Sequence, residues 1–289
     1  MPELPEVETV RKGLIKHLCN FNIDHVEVLR KSAVASPGGP QLFIEKMQGK
    51  KIHKVERRGK YLIASLEHTK KVTSNKNKLK GGWWGIHLRM TGHFQWHKKQ
   101  SDPCIHTRVR FLDQNGFELR FVDVRSFGQM WWVPPSKLPQ EIITGLQKLG
   151  PEPFSEDFNP TYLAAMLNKK TRTIKSALLD QSLVAGPGNI YADETLFASG
   201  ISPFRRCCDI NIVEIEDIYN NLVKILRISI GQGGTTFSDF RDLNGLNGNY
   251  GGQAFVYGRK NKKCRICNEL IIREKISGRS SHWCPKCQK

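Results

Sequence analysis

Two Cys-x-x-C knuckles, Cys264-Arg-Ile-Cys267 and Cys284-Pro-Lys-Cys287, close this 289-residue chain with 16 residues between them. Few folds satisfy that spacing. Each knuckle can present two thiolates from one tight turn, and together the knuckles complete a tetrahedral site for one structural zinc ion. Between them, Glu269 to Ile276 carries Leu270, Ile271 and Ile272 and reads as a strand, while Ser277-Gly278-Arg279 reads as a turn. A β-hairpin with zinc at its base is expected. Two disulfides are the alternative, which a basic chain read as intracellular disfavours. Cys19, Cys104 and the vicinal pair Cys207-Cys208 have no such spacing and read as ordinary thiols.

The formal charge is +18, far enough from neutrality to indicate a polyanionic partner, with nucleic acid the leading one. A membrane surface would be met by a concentrated basic amphipathic helix or a polybasic tail, whereas Lys and Arg here are spread along the chain. Neither a secretory leader nor a run of about 18 apolar residues is present, so the chain reads as soluble and intracellular, with no membrane partner. Its length allows two domains and a substantial core.

Met1-Pro-Glu-Leu-Pro-Glu-Val-Glu8 admits two readings. Pro5 in the first turn of a helix, with Glu6 and Glu8 against the positive end of the dipole, is ordinary helix initiation. Val7, Val10, Leu14 and Leu18 then supply one apolar stripe for a helix over residues 5 to 18. Pro2 is not explained by that reading. Once Met1 is removed, Pro2 offers a secondary amine with a pKa of about 8, beside the carboxylate of Glu3, and such an amine can attack an anomeric carbon to give an iminium.

Short alternating segments follow: 25–29, 51–55, 61–66, 84–88, 107–112, 118–122 and 128–133, with polar turns between them. They predict an antiparallel sandwich. Thr69 to Gly82, rich in Lys, Asn and Gly, reads as an exposed loop. Prolines at 134, 135, 139, 151 and 153 mark a linker, after which 162–167, 174–183, 190–199 and 213–228 carry helical spacing. The turn Ala185-Gly-Pro-Gly-Asn189 delivers Asn189 to a helix N-terminus, where open backbone N–H groups could grip a phosphate or simply begin a helix. The glycine-rich segment 244–252 is too poor in apolar residues for core and could form a lid.

Taken together, these residues resemble the formamidopyrimidine-DNA glycosylase and endonuclease VIII family of DNA repair enzymes, closer to the first branch. The landmarks run in family order: Met1-Pro-Glu-Leu-Pro-Glu-Val7, Arg57-Arg-Gly-Lys60, His87-Leu-Arg-Met-Thr-Gly92, Asp123-Val-Arg-Ser-Phe-Gly128, Leu149-Gly-Pro-Glu-Pro153, Gly188-Asn-Ile-Tyr-Ala192, Val256-Tyr-Gly-Arg259 and the terminal ribbon. The resemblance implies an α+β fold: an N-terminal β-sandwich with a flanking helix (1–133), a linker (134–150), a helix-two-turn-helix domain with a lesion-capping loop (151–258) and a zinc finger (259–289). It implies a bifunctional DNA glycosylase and abasic-site lyase of base excision repair, acting as a monomer on duplex DNA with oxidised or abasic nucleotides.

By the same resemblance, Pro2 attacks C1′ of an extruded nucleotide, Glu3 protonates the sugar ring oxygen, Lys60 touches phosphate at the mouth of the site, and Glu6 supports the N-terminus. Met90, Arg125 and Phe127 fill the space left in the stack, the last two expected to leave one side of a strand end. Asn189, Arg279, Lys175, Tyr257, Arg259 and His87 are expected at DNA phosphates. One zinc is bound by Cys264, Cys267, Cys284 and Cys287. The chain departs from the family where Val124-Arg-Ser126-Phe replaces a frequent Pro-Arg-Arg-Phe, and Lys71 to Lys80 has no counterpart. Oxidised purines are the expected substrates. An endonuclease VIII type enzyme for oxidised pyrimidines and a noncatalytic binder of damaged DNA stand as alternatives.

Overall fold

The expected first helix forms as α1, Leu4–Leu18, with Glu6 in its first turn and Lys16 and His17 in its last, the charge order that the helix dipole favours. Val7, Val10, Leu14 and Leu18 are buried as one stripe, and they join the core of the domain that follows. The computed structural model describes residues 1–19, 21–69, 80–236, 243 and 245–289. Two compact units emerge: residues 1–2, 6–147 and the described part of 238–248 form one, and residues 3–5, the described part of 148–237 and 249–289 form the other.

In the first unit, β1 (Asn22–Ile23), β3 (Lys50–Arg58), β4 (Tyr61–His68), β5 (Lys80–His87) and β9 (Gln129–Val133) make one sheet, ordered β1-β3-β4-β5-β9. A second sheet is ordered β2-β7-β8-β6, from β2 (His25–Val28), β6 (His93–His97), β7 (Thr107–Leu112) and β8 (Glu118–Val122). All pairings between these strands are antiparallel. Trp84 of β5 meets Phe94 of β6 and Phe111 of β7 with ring centroids 5.8 Å and 4.7 Å apart. The two sheets therefore share one aromatic core, the sandwich expected from the strand pattern.

Three elements were not legible in the strand pattern: β1, β6 and α2 (Gly39–Met47), which buries Phe43 and Met47. The loop expected over Thr69 to Gly82 is corrected at its end, because β5 begins at Lys80; residues 70–79 lie outside the described residues. Gly82 explains the misreading. It sits at φ +91° with the Val133 carbonyl 2.2 Å from where a Cβ would stand, so only glycine lets β5 and β9 approach there. The segment expected as a linker, 134–150, contains a short helix, α3 (Pro139–Ile142), and its residues up to 147 belong to the first unit.

The second unit contains α4 (Pro160–Leu167), α5 (Ile174–Leu178), α6 (Asn189–Ala198) and α7 (Ile212–Gly231), followed by the hairpin β10 (Ile272–Ile276) and β11 (Arg279–Trp283). Asn159 caps α4, Thr173 caps α5, and Asn211 with Glu214 forms a capping box on α7. The helix expected over 174–183 stops at Leu178. Asp180 accepts hydrogen bonds from the Ser182 amide and hydroxyl, and Gln181 bridges the Gly186 amide and the Pro187 carbonyl. Local side-chain bonds thus replace a further helical turn. Tyr250 corrects the reading of 244–252 as unable to contribute core: it is buried against the helices. Of the expected lid segment 244–252, only Asn244 lies outside the described residues, and Tyr250–Gly252 forms a short 3-10 turn. Among the described residues no helix is long and apolar enough to cross a membrane.

Candidate active site

Glu3 is buried, and its carboxylate occupies the N-terminus of α6. Its Oε2 accepts from the amides of Gly188 (2.7 Å) and Tyr191 (3.4 Å), and its Oε1 from that of Ile190 (2.9 Å). The Leu4 amide also donates to the Gly186 carbonyl at 3.1 Å. This corrects the expectation of amides open to a phosphate: the anion at this helix end is the protein's own. Gly188 makes the approach possible, since a Cβ there would lie 2.4 Å from the Glu3 carboxyl carbon. Pro2 is buried, Met1 is half exposed, and Glu6 is buried in α1.

In the sandwich, Lys60 lies in the β3–β4 turn. Arg57 anchors that turn by donating to Glu8 at 3.2 Å and to the Gly59 carbonyl at 3.1 Å. Burial pushes the Glu8 carboxyl up, but its bonds to Arg11 and the charge of Arg57 outweigh this and hold it below the usual range. Lys60 itself is buried. His87, on β5, packs edge-on against Tyr61 at 4.5 Å and accepts the Arg89 amide at Nδ1. Burial, with the charges of Arg89 and Lys60, lowers its pKa to about 3. The ring is therefore neutral at physiological pH and carries its proton on Nε2, which makes it a hydrogen-bond donor and not a cation.

Met90 is 37% exposed and Phe127 51% exposed, and the Arg125 guanidinium lies 4.8 Å above the Phe127 ring. They do not leave a strand end as expected. β8 stops at Val122, and the segment turns through Ser126 at φ +56°. A turn with a left-handed residue brings the two side chains together where strand alternation was invoked.

In the second unit, Lys175 corrects another expectation. It is fully buried, and its ammonium is held by Asp193 at 2.6 Å and the Ser280 carbonyl at 2.7 Å, so it serves the interior and is not a surface phosphate contact. The same Asp193 accepts the His282 amide at 2.8 Å. Asn189 donates to the Ser280 carbonyl at 2.8 Å. Next along α6, Glu194 accepts the amides of Phe255, Val256 and Tyr257 at 2.8, 2.9 and 2.9 Å; burial nevertheless pushes its carboxyl up. Tyr257 stacks edge-on against His282. Arg259 donates to the carbonyls of Ala254 and Lys263, whereas Arg279 is exposed at the hairpin tip. Asp193 and Glu194 were missed in the sequence. Adjacent acids inside an apolar helix were the available signal, since buried charges require partners.

The four knuckle thiols lie within 4.8 Å of one another, with Cys264 and Cys287 sulfurs 3.9 Å apart and those of Cys267 and Cys284 3.4 Å apart. Thiolates around one zinc, at about 2.3 Å each, stand roughly 3.8 Å apart, whereas a disulfide needs about 2.05 Å. The cluster fits one structural zinc.

Sandwich, helix-two-turn-helix unit and zinc ribbon, in that order along the chain, define a DNA glycosylase. Family models agree along the chain. The formamidopyrimidine-DNA glycosylase N-terminal domain matches residues 1–130, the formamidopyrimidine-DNA glycosylase H2TH domain matches 149–241, and the zinc finger found in FPG and IleRS matches 261–289. A formamidopyrimidine-DNA glycosylase of Prochlorococcus marinus is 59% identical over 291 residues, covering all of both chains. Among solved structures, a variant of Lactococcus lactis FPG in complex with Fapy-dG-containing DNA is similar with a TM-score of 0.87 and 32% identity over all of both chains. The wild-type Lactococcus lactis protein in complex with DNA containing an oxidised pyrimidine matches equally. The chain belongs to the formamidopyrimidine-DNA glycosylase family. It is a base excision repair DNA glycosylase with the abasic-site lyase activity characteristic of that family.

Proposed function

We propose that this enzyme excises oxidised purines, formamidopyrimidines and 8-oxoguanine among them, from duplex DNA through a Schiff base on Pro2. The observation that carries the reading is the fixing of Glu3, beside the nucleophile in the chain, by three backbone amides. An acid so oriented can serve one atom of the substrate repeatedly without reorganising. The Pro2 amine attacks C1′ as the base departs with the glycosidic electron pair and takes up a proton from solvent. The proton of the resulting ammonium passes to the Glu3 carboxylate, which delivers it to the ring oxygen as the C1′–O4′ bond opens to the iminium. The resulting iminium acidifies C2′. Loss of that proton expels the 3′ phosphate, and a second elimination expels the 5′ phosphate, leaving a one-nucleotide gap.

Lys60 and the Nε2–H of His87 supply donors toward the phosphate beside the lesion, with Glu6 supporting the N-terminus. Met90, Arg125 and Phe127 fill the vacated stack, and Asn189, Tyr257, Arg259 and Arg279 hold the backbone. Lys175 acts behind them, holding the hairpin through Ser280. The names of the relatives and the Fapy-dG complex of the solved neighbour support the purine reading. The complex of that neighbour with an oxidised pyrimidine favours a second, overlapping activity. The same reading has the protein working as a monomer inside the cell, on the genome.

Borohydride should trap the enzyme covalently on lesion DNA, and retention of Met1 or Pro2→Gly should abolish the adduct. Full trapping by a chain with a blocked N-terminus would refute the mechanism. Glu3→Gln should slow base excision by about 100-fold and affect preformed abasic sites far less. Excision across duplexes with 8-oxoguanine, formamidopyrimidine, thymine glycol and 5-hydroxyuracil decides the lesion class; thymine glycol processed while 8-oxoguanine is ignored would overturn it.

A further inference from the structure

The turn bearing Met90 and the turn bearing Arg125 and Phe127 converge on one buried carboxylate. Asp123 directly follows β8 and is fully buried. Its Oδ1 accepts from the Thr91 hydroxyl and, at 3.2 Å, from the Arg125 amide. Its Oδ2 accepts the Gly128 amide at 2.7 Å, and Thr91 Oγ1 receives the Arg125 amide at 3.1 Å. One side chain thus grips the residue after Met90, the amide of Arg125 itself and the residue after Phe127. From β7, Arg108 donates to the carbonyls of Asp123 at 2.7 Å, Val124 at 3.4 Å and Ile105 at 2.9 Å.

We infer that Asp123 is a positioning residue for base extrusion, setting the mutual register of Met90, Arg125 and Phe127. The inference rests on the proposed role of those three as the wedge. Exposed side chains cannot be aimed by their own burial, so their direction comes from the backbone beneath them. That backbone is unfavourable by itself: Ser126 is left-handed at φ +56° and Arg89 at φ +57°, conformations that persist only where surrounding bonds over-determine them. An ionised carboxylate accepting several N–H and O–H donors is the strongest such constraint available to a short turn. Gly128 closes the arrangement, since a Cβ there would lie 2.4 Å from the Phe121 ring and 3.0 Å from Asp123 Oδ2. A wedge entering a base stack requires placement to within about 0.5 Å, and a bond shared between the two turns moves all three side chains together.

The test uses full-length, zinc-loaded enzyme and two readouts: single-turnover excision from a lesion duplex, and cleavage of an abasic site in a single-stranded oligonucleotide, which has no partner base to replace. Asp123→Asn should lower the ratio of the first to the second roughly tenfold, the scale of one charge-assisted bond. Thr91→Val should lower it in the same direction by less, and Thr91→Ser should restore it. Equal loss on both substrates, tracking a lowered Tm, would show Asp123 to be merely structural and overturn the inference. An unchanged ratio in Asp123→Asn beside a lowered one in Phe127→Ala would overturn positioning while leaving the wedge intact. An unchanged ratio in Phe127→Ala would remove the wedge reading itself. If Asp123→Asn does not fold, the Thr91 pair decides, and an unchanged ratio in Thr91→Val overturns the inference.

Discussion

The sandwich and the zinc hairpin both carry proposed DNA contacts on turns, yet they hold those turns differently. Beneath Met90 and Phe127 lies a continuous core in which Trp84, Phe94, Phe111 and Phe121 interlock across two sheets. Beneath Arg279 the apolar support shrinks to Phe197, Val256, Ile271 and two buried cysteines. Polar and metal bonds take its place: the thiol cluster, and the Asp193 carboxylate that joins Lys175 to His282. Where chain length cannot supply a core, ligation and buried charge supply order instead.

Metal removal should separate the two regions most strongly. Structural zinc contributes on the order of 10 kcal/mol to folding of such modules. Chelation or Cys267→Ser should therefore leave the amides of 272–283 unprotected in hydrogen exchange, while those of 109–122 keep their protection. Equal loss in both regions would break the comparison. Next in size is Lys175→Met, which strands the buried Asp193 carboxylate and should cost roughly 3–5 kcal/mol, read as a lowered calorimetric transition of the helical and ribbon unit with the sandwich transition unmoved.

Acid should act on the sandwich. His87 has its folded pKa lowered to about 3 by burial, Arg89 and Lys60, so the unfolded chain takes up the proton first. Stability is complete above about pH 6.5 and falls toward pH 3, by at most about 1.4 kcal/mol per pH unit. His68 and His97 shift the same way from more open positions. Burial pushes Glu118 up, but Arg120 and Arg110 outweigh it and hold its pKa at about 2, and its contribution is lost only as pH falls from about 4.5. Denaturant midpoints between pH 7 and 4.5 should decline in the wild type and decline less steeply in His87→Gln, the remainder belonging to His68 and His97. A flat wild-type profile would contradict this account of His87.

The smallest effects sharpen the contrast between the two turns. Arg279→Ala should weaken duplex binding by about 1 kcal/mol and lower the slope of log affinity against log salt by about 0.9, as one lost phosphate contact requires. Arg125→Ala should leave that slope nearly unchanged and flatten the preference for cytosine opposite the lesion, because a guanidinium recognises base acceptors. Interchanged outcomes would mean that the ribbon reads bases and the sandwich reads backbone.

Local pattern made much of this molecule legible. The stripe Val7, Val10, Leu14 and Leu18 marked α1, alternation marked seven of the sandwich strands, and the cysteine spacing marked the ribbon. Legibility failed where the cause was not local. α2 and β6 lack a pattern that stands out from their surroundings, and β5 continues through two glycines that read as loop. Arg125 and Phe127, expected at a strand end, sit on a turn held by Asp123 and by Thr91, and Thr91 lies 34 positions away from Arg125.

Features whose physics spans a few residues are readable from the chain alone: the acidic start of the first helix, strand periodicity, and thiolate pairs on tight turns. Its order of motifs also determined the family. Which donor each buried charge meets is settled when distant segments pack. Glu3 closes on amides of Gly188 and Ile190, 185 and 187 positions away, and so occupies the helix end that the sequence offered to a phosphate. Lys175, expected at a DNA phosphate by resemblance, is held inside by Asp193 and Ser280. Spacing cannot encode such partners, because a buried carboxylate takes the amides that assembly of the chain leaves unpaired, and those exist only once the helices have packed.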